Sequence, residues 1–210
     1  MIFSLLNGGQ YIAFIFTLFG ILIAIVVHEF AHALMADFLG DPNPRNQGRV
    51  SLNPLVHLDP LGFVLILATN FGWGKPVAFD PYNLKNPKRD SAFIALAGPI
   101  ANLILFFFGY WIYNLSLPAS LFSTALKSAI TTLMQINLYL ALFNLVPVYP
   151  LDGSHVLSAL LPKQLSYQYD IIMEKFGIII LFFLIAPISH GKSPISYLLE
   201  PIIVFFLNIF

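Results

Sequence analysis

The sequence predicts an all-α polytopic membrane protein, and three observations predict it. Only 10% of the 210 residues are charged, against 58% hydrophobic, where a soluble domain carries about 25% charged residues. Two long stretches, residues 1–27 and 91–126, contain no charge at all. Mean hydropathy is +0.82. An α-helix needs about 20 apolar residues to cross roughly 30 Å of hydrocarbon, and several runs here are long enough. We expect a bundle of about five or six transmembrane or re-entrant segments.

The first span covers about Tyr11 to Gly40. No Lys or Arg precedes its apolar run, so the basic region of a cleaved signal peptide is missing and the run is expected to be retained. Asp41 to Gly62 is a loop rich in Pro and Asn. Leu61 to Phe71 is apolar but too short to cross, which suits a re-entrant or interfacial piece. Gly72-Trp73-Gly74-Lys75-Pro76-Val77 combines turn residues with short β-prone stretches. A small β-hairpin or edge-strand element is therefore expected near residues 45–80. About Phe93 to Leu117 forms the second full span and about Ser128 to Leu145 the third. The third runs into Asn144-Leu-Val-Pro147-Val-Tyr-Pro150-Leu-Asp152-Gly153. A polar segment at about 162–175 separates it from two short apolar pieces, Phe176–Ile188 and Ile195–Phe210.

Charge sets the orientation and excludes some functions. Eight of the ten Lys and Arg residues lie in the 40–90 region or in the 162–175 segment. With Leu61–Phe71 re-entrant, one topology puts all eight on one side. The positive-inside rule makes that side cytoplasmic and the N-terminus external, in a multi-pass protein of the cell membrane. Net charge is zero, which argues against a nucleic-acid partner. The absence of cysteine excludes disulfides and thiolate metal ligands.

The first span ends in chemistry. His28-Glu29-Phe30-Ala31-His32 places two imidazoles four residues apart on one helix face, the H-E-x-x-H spacing that binds Zn²⁺. Glu29 follows the first ligand and can act as general base and acid. Ionisable groups at membrane depth are costly and point to function. A catalytic zinc takes three protein ligands and keeps one open position. The third candidates are Asp152, His57, His155 and Asp37. Asp152 is favoured because Pro147 and Pro150 break the preceding helix, and irregular backbone at membrane depth is tolerated where it lines a polar cavity. Asp37 is expected at a solvated helix end and Asp59 in a turn. Asn137 and Asn144 share a helix face. The plain reading of the pair is hydrogen bonding between helices, and the functional reading of Asn144 is a donor to substrate or oxyanion. Asn102, in Gly98-Pro99-Ile100-Ala101-Asn102, is a candidate to orient a ligand, as are His57 and His155. The glycine and alanines of that segment suit close helix packing.

HEFAH within a span, followed by N-x-x-P-x-x-P-x-D-G, resembles the site-2 protease family of intramembrane zinc metalloproteases, peptidase family M50. GRVSLNPLVHLDPLG, GWGKPV and AGPIAN are similar to its compact prokaryotic branch, and the resemblance runs from about Ile21 to Leu160. It implies that His28, His32 and Asp152 hold one Zn²⁺ and that Glu29 is the general acid/base. It implies hydrolysis of a peptide bond in the transmembrane segment of a membrane-protein substrate, in regulated intramembrane proteolysis. The GWGKPV region would offer an edge strand to the unwound substrate. The family's usual aspartate motif is the shorter N-P-x-x-D-G, so the place of Asn144 is less well matched than that of Asp152. These 210 residues leave no room for PDZ or CBS domains. The expected organisation is one membrane-embedded domain over residues 1–210, with a catalytic core at about 11–160 and apolar C-terminal helices at about 170–210.

Two other functions compete. One is a catalytically silent scaffold of the same fold that binds zinc or client proteins, against which the intact Glu29 argues. The other is a transporter with a metal site, which would need polar residues spread along the other spans. The expected partners are a transmembrane protein substrate and the lipid bilayer. No sequence feature sets an oligomeric state.

Overall fold

The computed structural model describes residues 5, 8–69, 72–115, 124–188 and 191–209. Three helices in it are long and apolar enough to cross a membrane. They are α1 (Tyr11–Phe38), α3 (Pro87–Asn114) and α4 (Thr124–Asn144). Between α1 and α3 lie α2 (Pro60–Thr69), two one-turn helices and a 3-10 turn. After α4 come α5 (Asp152–Leu160), α6 (Lys163–Ile185) and α7 (Pro194–Ile209).

The three long helices form the centre, and their contacts give its direction. His28 and His32 of α1 meet Asn102 and Ile94 of α3 in reversed order, so the two helices are antiparallel. Asn102 meets Asn137 of α4 while Gly109 faces Met134, so α3 and α4 are antiparallel as well. The C-terminal end of α1, the N-terminal end of α3 and the C-terminal end of α4 therefore share one side. Lipid offers no hydrophobic drive for helices to associate, so close packing of small residues matters. The α1/α3 seam supplies them: Ala24, Ala33, Ala36, Ala92, Ala95, Ala97 and Gly98 are all buried. Phe106 and Leu138 fill the α3/α4 layer, both fully buried.

Asp41 organises the loop that follows α1. Its fully buried carboxylate accepts from the Asn43 N–H (3.1 Å), the Asp80 N–H (2.7 Å) and Asn83 Nδ2 (2.7 Å), tying the start of the loop to its end. Asp59 caps the start of α2, accepting from the Gly62 N–H at 2.7 Å, and so is the turn residue expected. The 10 residues of α2 span about 15 Å at 1.5 Å per residue, half a bilayer core.

The structure departs from the sequence expectation in two places. First, the hairpin expected near residues 45–80 is an isolated antiparallel bridge, Leu58 to Gly74, with no sheet among the described residues. Pro76 has no N–H to give a ladder, and the Lys75 and Pro76 carbonyls accept from Arg49 instead. Second, the C-terminal helices, expected from about residue 170, begin at Lys163, so the polar segment at 162–175 is the first half of α6. Lys163 to Phe176 contains no Gly or Pro, so nothing breaks the helix between its solvated and apolar halves. Leu117, the expected end of the second span, lies outside the described residues, as do residues 70 and 71 of the re-entrant piece.

After α4 the chain is irregular from Leu145 to Leu151. Val146, Val148 and Leu151 are buried against Leu181, Ile195 and Leu199 of α6 and α7. Tyr169 of α6 donates its hydroxyl to the Pro147 carbonyl at 2.9 Å. The segment is thus anchored by the C-terminal helices before it enters α5 at Asp152.

Candidate active site

His28 and His32 lie one turn apart on α1 and are both buried. Counting back from Phe38, His28 sits about 15 Å inside the helix end at 1.5 Å per residue. Asp152, the first residue of α5, faces them. The Nε2 atoms of the two histidines are 3.0 Å apart, and Asp152 Oδ2 lies 3.1 Å from His28 Nε2 and 3.3 Å from His32 Nε2. Among the described residues these three form the group able to hold a metal ion.

The tautomers follow from the outer hydrogen bonds. His32 Nδ1–H donates to the Ile94 carbonyl at 2.7 Å, an atom that can only accept. His28 Nδ1–H donates to Asn102 Oδ1 at 2.6 Å. The Asn102 amide is oriented by its own NH₂, which donates to the Ala24 carbonyl at 3.0 Å. With both Nδ1 atoms protonated, both Nε2 atoms present bare lone pairs. Asp152 Oδ2 is buried with no hydrogen bond among the described residues. Three electron-rich atoms at these separations repel one another unless a cation sits among them. Tetrahedral zinc bonds of about 2.0–2.1 Å put ligand atoms about 3.3–3.4 Å apart, close to the observed triangle. The donor set therefore fits Zn²⁺, with outer hydrogen bonds that orient both imidazoles.

Two glycines make the convergence possible. A Cβ at Gly98 would collide with His32 Nε2 and lie 2.7 Å from His28 Nε2, so α3 must be bare where it passes the site. A Cβ at Gly153 would collide with the Leu145 carbonyl and lie 2.6 Å from that of Val146. The Asp-Gly pair thus lets α5 start tucked beneath the end of α4, with Asp152 turned to the histidines. Pro99 lacks the N–H that would close on the Ala95 carbonyl, one residue from the Ile94 carbonyl that His32 uses.

Glu29 is half-buried on α1 beside the ligands. The extended segment around Gly74 approaches it: a Cβ built on Gly74 would lie 3.3 Å from Glu29 Oε1. Arg49 holds that segment. It is buried, and its guanidinium donates to the carbonyls of Val56, Lys75 (3.1 Å) and Pro76 (2.8 Å). The Lys75 N–H donates to the His57 carbonyl at 2.7 Å.

The other sequence candidates fall elsewhere. His57 is fully buried, but its Nε2–H donates to the Ser51 carbonyl at 2.6 Å, and the residue braces the loop rather than joining the ligand group. His155 is exposed and meets the Phe79 ring edge-on. Asp37 is engaged by Arg45 through two bonds of 2.7 Å. Asn144 Nδ2 donates to the Leu140 carbonyl of its own helix at 3.0 Å. Sequence reasoning missed Gly98 as a steric requirement, Arg49 as a clamp and the Ile94 carbonyl as a ligand support. Arg49 carried no signal that set it apart from Arg45 in the same loop, and a main-chain carbonyl leaves no signal.

Comparison with known proteins identifies the family. A protein of Bacillus subtilis provisionally named zinc metalloprotease YwhC is 35% identical over 190 residues, covering 87% of this chain and 83% of its own. The chain belongs to peptidase family M50. The model of that family matches residues 115–184, which hold the proline-broken segment and Asp152. A zinc metalloprotease of Methanocaldococcus jannaschii is 26% identical over 166 residues, 78% of this chain and 39% of that longer protein. No solved structure matches. Family membership and the donor set together make this a membrane zinc metalloprotease of the site-2 protease type, with Zn²⁺ as its cofactor.

Gly98→Ala tests the steric reading. The added methyl favours the helix by about 0.5–1 kcal/mol yet fills the space that the two imidazoles need. Zinc content of the purified variant should fall from one per chain towards none, with helical circular dichroism unchanged.

Proposed function

We propose that this chain is an intramembrane zinc endopeptidase that hydrolyses peptide bonds within or near the transmembrane segments of membrane-protein substrates. The observation that carries this reading is the convergence of His28, His32 and Asp152 inside an apolar bundle, with a carboxylate, Glu29, on the same helix.

His28, His32 and Asp152 would hold the metal. Zinc, when bound there, supplies Lewis acidity, which polarises the scissile carbonyl and lets water ionise near neutral pH. Glu29 takes the proton that water loses as its oxygen attacks the carbonyl carbon. As the C–N bond breaks, Glu29 returns that proton to the leaving nitrogen. The Ile94 and Asn102 oxygens hold the imidazoles still throughout. The bundle walls exclude bulk water, which strengthens each of these interactions.

A peptide bond inside a helix is shielded, so the substrate must unwind before cleavage. The extended segment Trp73–Val77, held by Arg49 beside Glu29, would pair with the unwound stretch as an edge strand. Asn144 would bind substrate or oxyanion after releasing its bond to Leu140. In this reading α1, α3 and α4 cross, while α2, α6 and α7 are re-entrant or partial segments. That makes about six membrane-associated pieces in one domain over residues 1–210, with the core at about 11–160. The active site faces the cytoplasm and the N-terminus the exterior of the cell membrane.

Three experiments test these roles. Glu29→Gln should lower cleavage of a model membrane substrate about 100-fold or more while zinc stays bound at one per chain. Unchanged cleavage would remove Glu29 from the mechanism, and stoichiometric zinc without cleavage of any substrate by the wild type would favour the scaffold reading. Because the chain has no native cysteine, single cysteines report topology cleanly. One placed at Gln47 should react with a membrane-impermeant thiol reagent only from the cytoplasmic side, and one at Gln10 only from outside. Combined replacement of Trp73, Gly74 and Lys75 should reduce cleavage with zinc retained, and full activity would rule out strand pairing.

A further inference from the structure

We propose that Asn137, on α4, is a positioning residue for the metal site: it holds the Asn102 amide in the orientation that leaves His28 Nε2 free to bind zinc. The proposal rests on the zinc site described above and extends it to a residue that touches neither metal nor ligand.

Asn102 and Asn137 are both fully buried. Four hydrogen bonds join them into one chain of fixed polarity. Asn137 Nδ2 donates to the Leu133 carbonyl at 2.8 Å. Asn137 Oδ1 accepts from Asn102 Nδ2 at 2.8 Å, and the same nitrogen donates to the Ala24 carbonyl at 3.0 Å. Asn102 Oδ1 then accepts from His28 Nδ1 at 2.6 Å. The Leu133 and Ala24 ends are main-chain carbonyls, which accept and never donate. Every amide in the chain is thereby forced to point one way.

Turning the Asn102 amide over shows what is at stake. Its oxygen would face two acceptors, Ala24 O and Asn137 Oδ1, and its NH₂ would face His28 Nδ1. His28 would then favour the tautomer with hydrogen on Nε2, the atom that must ligate the metal. Asn137 supplies one of the two acceptors that oppose this turn, and without it the Ala24 carbonyl acts alone. A partner bonded directly to a ligating histidine, as Asn102 is to His28, is worth about 10–100-fold in metal affinity, and Asn137 acts through it. The location adds a second consequence. Asn137 is on the helix that leads through Leu145–Leu151 to Asp152, so the element that delivers the third ligand also sets the tautomer of the first.

A residue that only fills space would behave differently from one that accepts a hydrogen bond, and substitutions separate the two. Asn137→Leu keeps nearly the same volume without an acceptor. Asn137→Asp, neutral in so buried a place, keeps an acceptor towards Asn102 and a donor towards Leu133. The experiment uses the full chain in detergent or nanodiscs. It measures zinc affinity by chelator competition and, on zinc-loaded protein labelled with ¹⁵N-histidine, the NMR signal of His28 Nδ1–H. Asn137→Leu should bind zinc about tenfold more weakly, with the Nδ1–H signal shifted upfield, and Asn137→Asp should match the wild type in both. Should Asn137→Leu fail to fold, Asn137→Ala carries the same expectation. Wild-type affinity and an unmoved signal in the apolar variant would overturn the proposal, as would equal loss in Asn137→Asp. A wild type that binds no zinc would overturn the reading of the site itself, which keeps the two failures distinct.

Discussion

Everything near the active site depends on one electrostatic conflict: two bare imidazole nitrogens and a carboxylate oxygen held within 3.3 Å of one another in an apolar bundle. Such a triangle is unfavourable by itself and favourable around a cation. The fold keeps it assembled from three directions. Helix α3 fixes both tautomers through Ile94 and Asn102, α4 backs Asn102, and the C-terminal helices grip the irregular segment that carries Asp152. The small residues of the α1/α3 seam bring those groups into reach. Each device makes sense as a way to hold like-charged atoms together in a medium that screens them poorly.

Much of this was legible in the sequence. HEFAH offered two candidate ligands on one helix face, and the structure brings His28 and His32 together with Asp152 in a group that could hold a metal ion. Asp152 was favoured from the prolines that precede it, since irregular backbone in a span is tolerated where it lines a polar cavity or is buried in protein, and its Oδ2 lies 3.1 Å and 3.3 Å from the two histidine Nε2 atoms. The three helices long and apolar enough to cross followed from charge-poor length. Asn102 was expected to orient a ligand, and its Oδ1 lies 2.6 Å from His28 Nδ1. Asn137 was foreseen as an inter-helix bond, but its direction was not, because donor polarity depends on carbonyls whose positions only the fold reveals.

Other features could not be read in advance for physical reasons. The junction inside α6 was hidden because composition changes there while helix propensity does not. The hairpin expected near residues 45–80 rested on local turn chemistry, whereas the region is organised by contacts distant in sequence, such as Arg49 to Pro76 and Asp41 to Asn83. His57 was a candidate ligand by residue type but read more readily as structural, and its bond to Ser51 shows that its ring nitrogen serves the loop.

The Arg49 clamp has a consequence for sequence tolerance. One side chain reaches three main-chain carbonyls, those of Val56, Lys75 and Pro76, the last of them 27 residues further along the chain. A main-chain carbonyl is the same acceptor whatever residue carries it. The grip therefore fixes where the backbone beside Glu29 runs and places no demand of its own on the side chains which that backbone carries.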